Sequence, residues 1–166
     1  MNLHHLDDDP ALCAHLLPDV WLAMDLKELA QILGTACHVA GVAEGYDVCR
    51  PYNPNGRFVR WVLASDDNAF WCHRYASLLA IEYTLRHGKH HRSEDPLFIA
   101  ARVLITEHTF TQDALTPWPE TFNGYHPAGS TTTERYRDYL RLRRADGLKM
   151  TWTAPAVEPE WAKETP

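Results

Sequence analysis

The sequence predicts an all-α fold, a small irregular helical bundle in a single domain. Three observations carry this. Apolar residues recur at helical spacing through most of the chain. Helix-start and helix-stop residues bracket those stretches, and no segment reads as a convincing strand. With 166 residues and 45% apolar content, the chain has one domain's length and enough apolar surface for a core.

From the N-terminus, residues 1–9 read as a flexible acidic segment. Asp9-Pro10 opens a short helix through Leu17, with Asp9 as cap and Pro10 at the first helical position. After Pro18 the pattern from Asp19 to Val39 is helical, with Val20, Met24, Leu26, Leu29, Ile32, Leu33 and Cys37 on one broad face. Residues 41–56 are loop-like, broken by glycines and prolines. Phe58 to Leu63 forms a short helix. Ser65 then caps a long one over 66–87, with Asp66 and Asp67 facing the positive end of its dipole. Its expected apolar face is Phe70, Tyr75, Leu78, Leu79, Ile81 and Leu85, and Gly88 ends it. Ser93-Glu94-Asp95-Pro96 starts a helix through Leu104. Residues 106–129 form a loop long enough to suggest function. Thr132 or Thr133 caps a helix from Glu134 to about Ala145, and 151–166 wrap back over the surface.

The net charge of −6 is unevenly spread. Residues 1–50 hold two basic and eight acidic side chains, residues 51–150 thirteen and eleven. That balance counts against tight non-specific DNA binding and leaves room for a local basic face. No apolar run approaches the ~20 residues of a membrane span, and the acidic N-terminus is unlike a secretory leader, so a cytoplasmic location in a host cell is expected. Cys13, Cys37, Cys49 and Cys72 show no CxxC pairing and read as reduced thiols. No cofactor motif is present: the chain lacks a Walker A loop, GxGxxG and GxSxG. Metal ligation is not predicted either. His87, His90 and His91 have no matching second cluster, and His4-His5 beside Asp7–Asp9 reads as a solvated run.

Several residues are candidates for chemistry. Lys89, His91 and Arg92 form a donor cluster just past the long helix. Arg135, Arg137, Arg141 and Arg144 crowd one helix, and guanidinium forks suit phosphate. Trp118, between two prolines, and Tyr136 on the arginine-rich helix offer faces for stacking on a base. Asp19 and Glu28, nine residues apart on one helix, are the carboxylates available for acid–base work. Asp25 reads as exposed.

In these residues the chain resembles a family of small phage and prophage proteins. There a first helix carries a pattern like CDKH…ETAQLL, a middle helix ends EYTxRYGKxHKS, and a TPxP loop, a Tyr/Arg-rich helix and PEW follow. The counterparts are Pro18-Asp19-Val20-Trp21 with Glu28 to Leu33, Glu82 to Ser93, Thr116-Pro117-Trp118-Pro119, Tyr136 to Arg144, and Pro159-Glu160-Trp161. The family's Lys-His is Val20-Trp21 here, so only Asp19 carries over at that position. The family is similar in turn, in helix order and middle helix, to pyrimidine-dimer DNA glycosylases of the endonuclease V type. Those enzymes flip a base, attack the sugar with an N-terminal amine and use a helix carboxylate; Asn2 is bulky, so Met1 is expected to remain here.

What the resemblance implies is a phage-type enzyme acting on DNA pyrimidines by glycosylase-like repair or base processing. Asp19, Glu28 and His91 would be catalytic. Lys89, Arg92 and the four arginines would hold phosphate, and Trp118 and Tyr136 would stack. One alternative is a transferase that hypermodifies an already modified thymine. The other is a non-catalytic phage protein whose 19–39 helix docks on a host protein.

Overall fold

The computed structural model describes residues 2–164. Among these residues seven helices form and no strand: α1 (Pro10–Leu16), α2 (Asp19–Val39), α3 (Arg57–Ala64), α4 (Asp66–His87), α5 (Glu94–Glu107), α6 (Thr132–Ala145) and α7 (Glu160–Lys163). The all-α single domain is as the sequence predicts. Whether Met1 is retained lies outside the described residues.

The start signals work locally. Asp9 accepts from the Ala11 N–H at 3.0 Å ahead of Pro10. Ser65 accepts from Asn68 N–H at 3.2 Å, and Gly88 closes α4 at φ 64°, a left-handed turn that favours glycine. α6 corrects one expectation: its cap is Thr131, not Thr132 or Thr133. A capping box needs its acid three residues after the cap, and Glu134 meets that spacing only from Thr131.

α2 is the central helix and packs against α3, α4 and α5, while α1 lies on α4. Trp21, Leu22, Leu26, Leu29, Ile32 and Leu33 are buried along it. Its solvent side is a strip that includes Met24, Lys27, His38 and Val39. α4 is turned differently from its expected face. It buries Ala69, Cys72, Tyr75, Ala76 and Leu79, a mostly small stripe that lets neighbouring helices approach closely, and leaves Phe70, Ile81 and Leu85 more than half exposed.

The N-terminal segment is not loose. Leu3 and Leu6 are fully buried, and His4 stacks on Trp21 with ring centroids 3.7 Å apart. Residues 2–7 thread between α2 and α6, where Arg137 donates to the Leu6 carbonyl at 2.9 Å. Apolar burial and hydrogen bonding outweigh the chain's entropy there, which polar composition alone did not signal. The tail does wrap back: Trp152 Nε1 donates to the Leu16 carbonyl at 2.9 Å. All four cysteines are free thiols, three of them buried. No helix among the described residues is long and apolar enough to cross a membrane.

Candidate functional site

Three tryptophans from three segments meet beside the N-terminal strand of chain. Trp61 lies on α3, Trp71 on α4 and Trp118 on the irregular stretch before α6. Asn68 brings them together. This fully buried amide donates to the Trp61 carbonyl at 2.6 Å and to Thr116 Oγ1 at 2.8 Å, and accepts from Thr116 N–H at 2.9 Å. Trp61 Nε1 donates to the Thr116 carbonyl at 3.1 Å. These bonds pin the loop onto the α3–α4 corner. An unpaired amide there would cost about 1–3 kcal/mol, so loop and corner hold each other.

The Trp118 ring lies 4.8 Å from Trp71 and 5.1 Å from Trp61, each near edge-to-face. His5 joins from the N-terminal segment, 4.9 Å from Trp118. Its plane is within 18° of Trp71, with centroids 6.3 Å apart. The rings, with Asp8 and Thr116, border a cleft of about 180 Å³. The indole N–H groups of Trp61 and Trp118 are spent inside the protein, the latter on Tyr136 Oη at 3.4 Å. Those two indoles therefore have no free N–H donor to offer the cleft.

His5 is buried, and burial holds its pKa below the ordinary imidazole value despite the carboxylates of Asp8, Asp7 and Glu120. It is neutral at pH 7. Thr133 Oγ1 lies 3.1 Å from Asp8 Oδ1 and 3.3 Å from His5 Nδ1, and His5 Nε2 lies 3.8 Å from Asp8 Oδ1, so carboxylate and imidazole share one hydroxyl at the edge of the cleft.

Behind the pocket lies a buried polar network. Asp25 is fully enclosed, a correction to its expected exposure. It accepts from His4 N–H at 3.0 Å and Tyr75 Oη at 3.0 Å, and pairs with His4 Nδ1 at 2.6 Å. Carboxylate, imidazole and phenol satisfy one another, which is what makes a charged side chain tolerable there. His4 is thus not part of a solvated run.

The residues singled out in the sequence do not converge. Asp19 is a fastener. Arg86 Nη1 reaches it at 3.1 Å, Thr151 Oγ1 at 2.9 Å and Thr153 Oγ1 at 2.8 Å, with the Thr153 N–H at 3.2 Å. Partial burial raises its carboxyl, yet the bonds from Thr153, Thr151 and Arg86 outweigh that and hold it below the usual carboxylate range. A base so weakened and so occupied is a poor proton acceptor. Glu28 sits about 14 Å further along α2, in a separate cleft with Lys27, Gln31 and Tyr52. His91 lies past α4, edge-on to Tyr83 at 4.9 Å, with Nδ1 accepting from Ser93 N–H at 3.3 Å. Burial and the neighbouring Arg92 and Lys89 lower its pKa. Lys89 and Arg92 are exposed beside it. None of the three catalytic candidates lines the tryptophan cleft.

The arginines of α6 are engaged internally. Arg135 pairs with Glu120, with Nε 2.9 Å from Oε2. Arg137 reaches Asp7 at 3.2 Å and lies over Trp161 at 5.2 Å. Arg141 bridges Asp138 at 2.9 Å and Glu164 at 3.2 Å, and Arg144 pairs with Glu158. The expected phosphate-holding face is therefore charge-compensated, and its guanidinium groups tie the chain's two ends and its long loop to one helix. Tyr136 is fully buried, its Oη accepting from Thr121 N–H at 3.2 Å, so it presents no face for stacking.

Of the stacking candidates only Trp118 sits at the cleft; His5, Asp8, Trp61 and Trp71 were missed. One signal was present for the network behind them. Asp25 falls on the apolar stripe of α2, one turn from Trp21 and from Leu29. Among the described residues no group of three or more His, Cys, Asp or Glu side chains is placed to hold a metal ion. No protein-family model matches the chain, and neither a curated protein nor a solved structure is matched by it.

Proposed function

We propose that the protein acts on pyrimidine bases of DNA, as a phage-type glycosylase-like repair or base-processing enzyme, taking one extruded base into the tryptophan cleft. The cleft is the observation that carries this reading. Three indoles and an imidazole border a space of about 180 Å³. That is below the ~300–1,000 Å³ of sites for drug-sized ligands and suits a single ring. Stacking on an aromatic side chain contributes about 1–3 kcal/mol per base, comparable to the few kcal/mol needed to extrude one. His5 Nε2 and Asp8 are the titratable groups at the ring's edge, and they take over the acid–base role from Asp19, Glu28 and His91. With the α6 arginines paired, and with Lys89 and Arg92 past the far end of α4, about 27 Å from Trp71, phosphate contacts contribute little at the cleft. Binding is then shallow in its salt dependence.

The test is a nucleoside digest read by mass spectrometry. Oligonucleotides carrying thymine, ultraviolet dimers or hydroxymethyluracil are incubated with wild type and with Trp118→Ala. Base loss by wild type, reduced about 5- to 150-fold in the variant, is expected from the stacking energy. A gain of mass on an intact backbone moves the chemistry to base transfer at the same cleft.

A second reading has its own observation. Ile81 and Leu85, one turn apart on α4, are both more than half exposed and give a second helix face on which a protein could dock. An unchanged digest, together with no DNA affinity at any salt, overturns the enzyme reading in favour of host-protein binding through α4.

A further inference from the structure

The cleft is an acceptor-lined box. Indole faces carry negative quadrupole density, and two of the indole N–H donors are already committed elsewhere. His5 Nε2 lies 3.8 Å from the Asp8 carboxylate at the edge of the cleft. The Asp8 carboxylate at the rim is 92% exposed, and its one ion partner among the described residues is that same imidazole, neutral at pH 7. Glu120 and Asp7 add to the negative field, although Arg135 and Arg137 each compensate one of them.

We infer that the cleft selects a pyrimidine ring bearing a positive charge, of the kind that alkylation at ring nitrogen produces, over a neutral ring of the same shape. Resting on the base-pocket reading above, this names the substrate class of that site. Charge delocalised over a planar ring meets the indole faces as a cation–π contact. Its exocyclic amino group supplies a donor for the Asp8 carboxylate, whereas a neutral 2,4-dioxo ring turns a carbonyl oxygen toward that carboxylate and is disfavoured.

Two nucleosides separate the possibilities. 3-Methylcytidine is a cation at neutral pH, and 3-methyluridine is its neutral counterpart with the same methyl group in place. Each is titrated into the full-length protein at pH 7, with tryptophan fluorescence as the readout. The cation is expected to bind about tenfold more tightly. In Asp8→Asn, which keeps an acceptor for Thr133 and so spares the fold, the preference falls to about two- to threefold. Raising salt from 50 mM to 500 mM narrows the wild-type preference as well, because Asp8 is exposed. Equal affinities, or a preference for the neutral ring, overturn the inference and leave the base-pocket reading standing. Failure of both nucleosides to perturb the fluorescence overturns both.

Discussion

Arg86 holds the bundle together at the opposite side from the cleft, and replacing it with leucine gives the sharpest test of the packing. Its side chain is completely buried. Nε donates to Glu82 Oε1 at 2.8 Å, Nη1 to the Leu17 carbonyl at 2.7 Å and Asp19 Oδ1 at 3.1 Å, and Nη2 to the His15 carbonyl at 2.8 Å. The two carbonyls belong to the end of α1, where a helix leaves its acceptors without intrahelical partners. Arg86→Leu leaves them without a donor and sets Glu82 and Asp19, 11% and 15% exposed, in one pocket without their cation. Removing one partner of a buried pair costs about 3–5 kcal/mol, a large part of the ~5–15 kcal/mol that holds a domain folded. The corresponding fall in Tm is about 6–20 °C for a chain of this size. Thermal melts followed by circular dichroism at pH 7 read it directly. Arg86→Lys keeps the charge but not the fork and recovers less than half of the loss. Asp19→Asn lowers Tm in the same direction, because the Asp19 carboxylate ties α4 to the tail. An Arg86→Leu protein melting within about 2 °C of wild type would refute this account.

Two further outcomes follow from α6 and α2. The Glu134 carboxyl is pulled down to about 2 by hydrogen bonds from the Ser130 hydroxyl, Ser130 N–H and Thr131 N–H. A depressed carboxyl stabilises the fold fully above its ordinary 4.5 and loses that contribution as pH falls toward 2. Carboxyl NMR should therefore find the Glu134 midpoint below 3, and one near its ordinary value would contradict the capping box. Gly34→Ala should destabilise despite alanine's ~1 kcal/mol better helix propensity. The new Cβ would lie 2.9 Å from backbone atoms of Cys49, and overpacking of that kind costs about 1–3 kcal/mol. A rise in the urea midpoint would show that the loop yields.

The elements were largely legible because their signals are local. Asp9-Pro10, Pro18, Ser65 and Gly88 set the ends of α1, α2 and α4 within a few residues of sequence. Facing was less legible. α4 has two apolar sides, and helical periodicity cannot say that the side with Ala69, Cys72 and Ala76 goes inward because it lets helices close up. Charge pairing was not legible at all. Arg137 meets Asp7 from 130 residues away, and Asp19 meets Thr153 from 134. A cluster of arginines in sequence is the same string whether its partners are phosphates outside or carboxylates brought in by the fold.

The same distinction explains how the cleft is held. Consecutive residues His4 and His5 leave the backbone toward different partners, one onto Trp21 in the interior and one onto Trp118 at the cleft. Asp25 grips His4 by both its backbone N–H and its ring, and Tyr75 braces the same carboxylate. His5 therefore inherits its position from a buried network that also backs the cleft, since Tyr75 packs on Trp71 with ring centroids 4.8 Å apart. Arg137 and Thr133 secure the residues that follow, at Leu6 and Asp8. The cost of ordering this segment is met by folding, so a flat ring entering the cleft finds its walls already in place. Arg137, read in the sequence as a phosphate holder, thus serves the site indirectly, by fixing the stretch of chain that carries its polar edge.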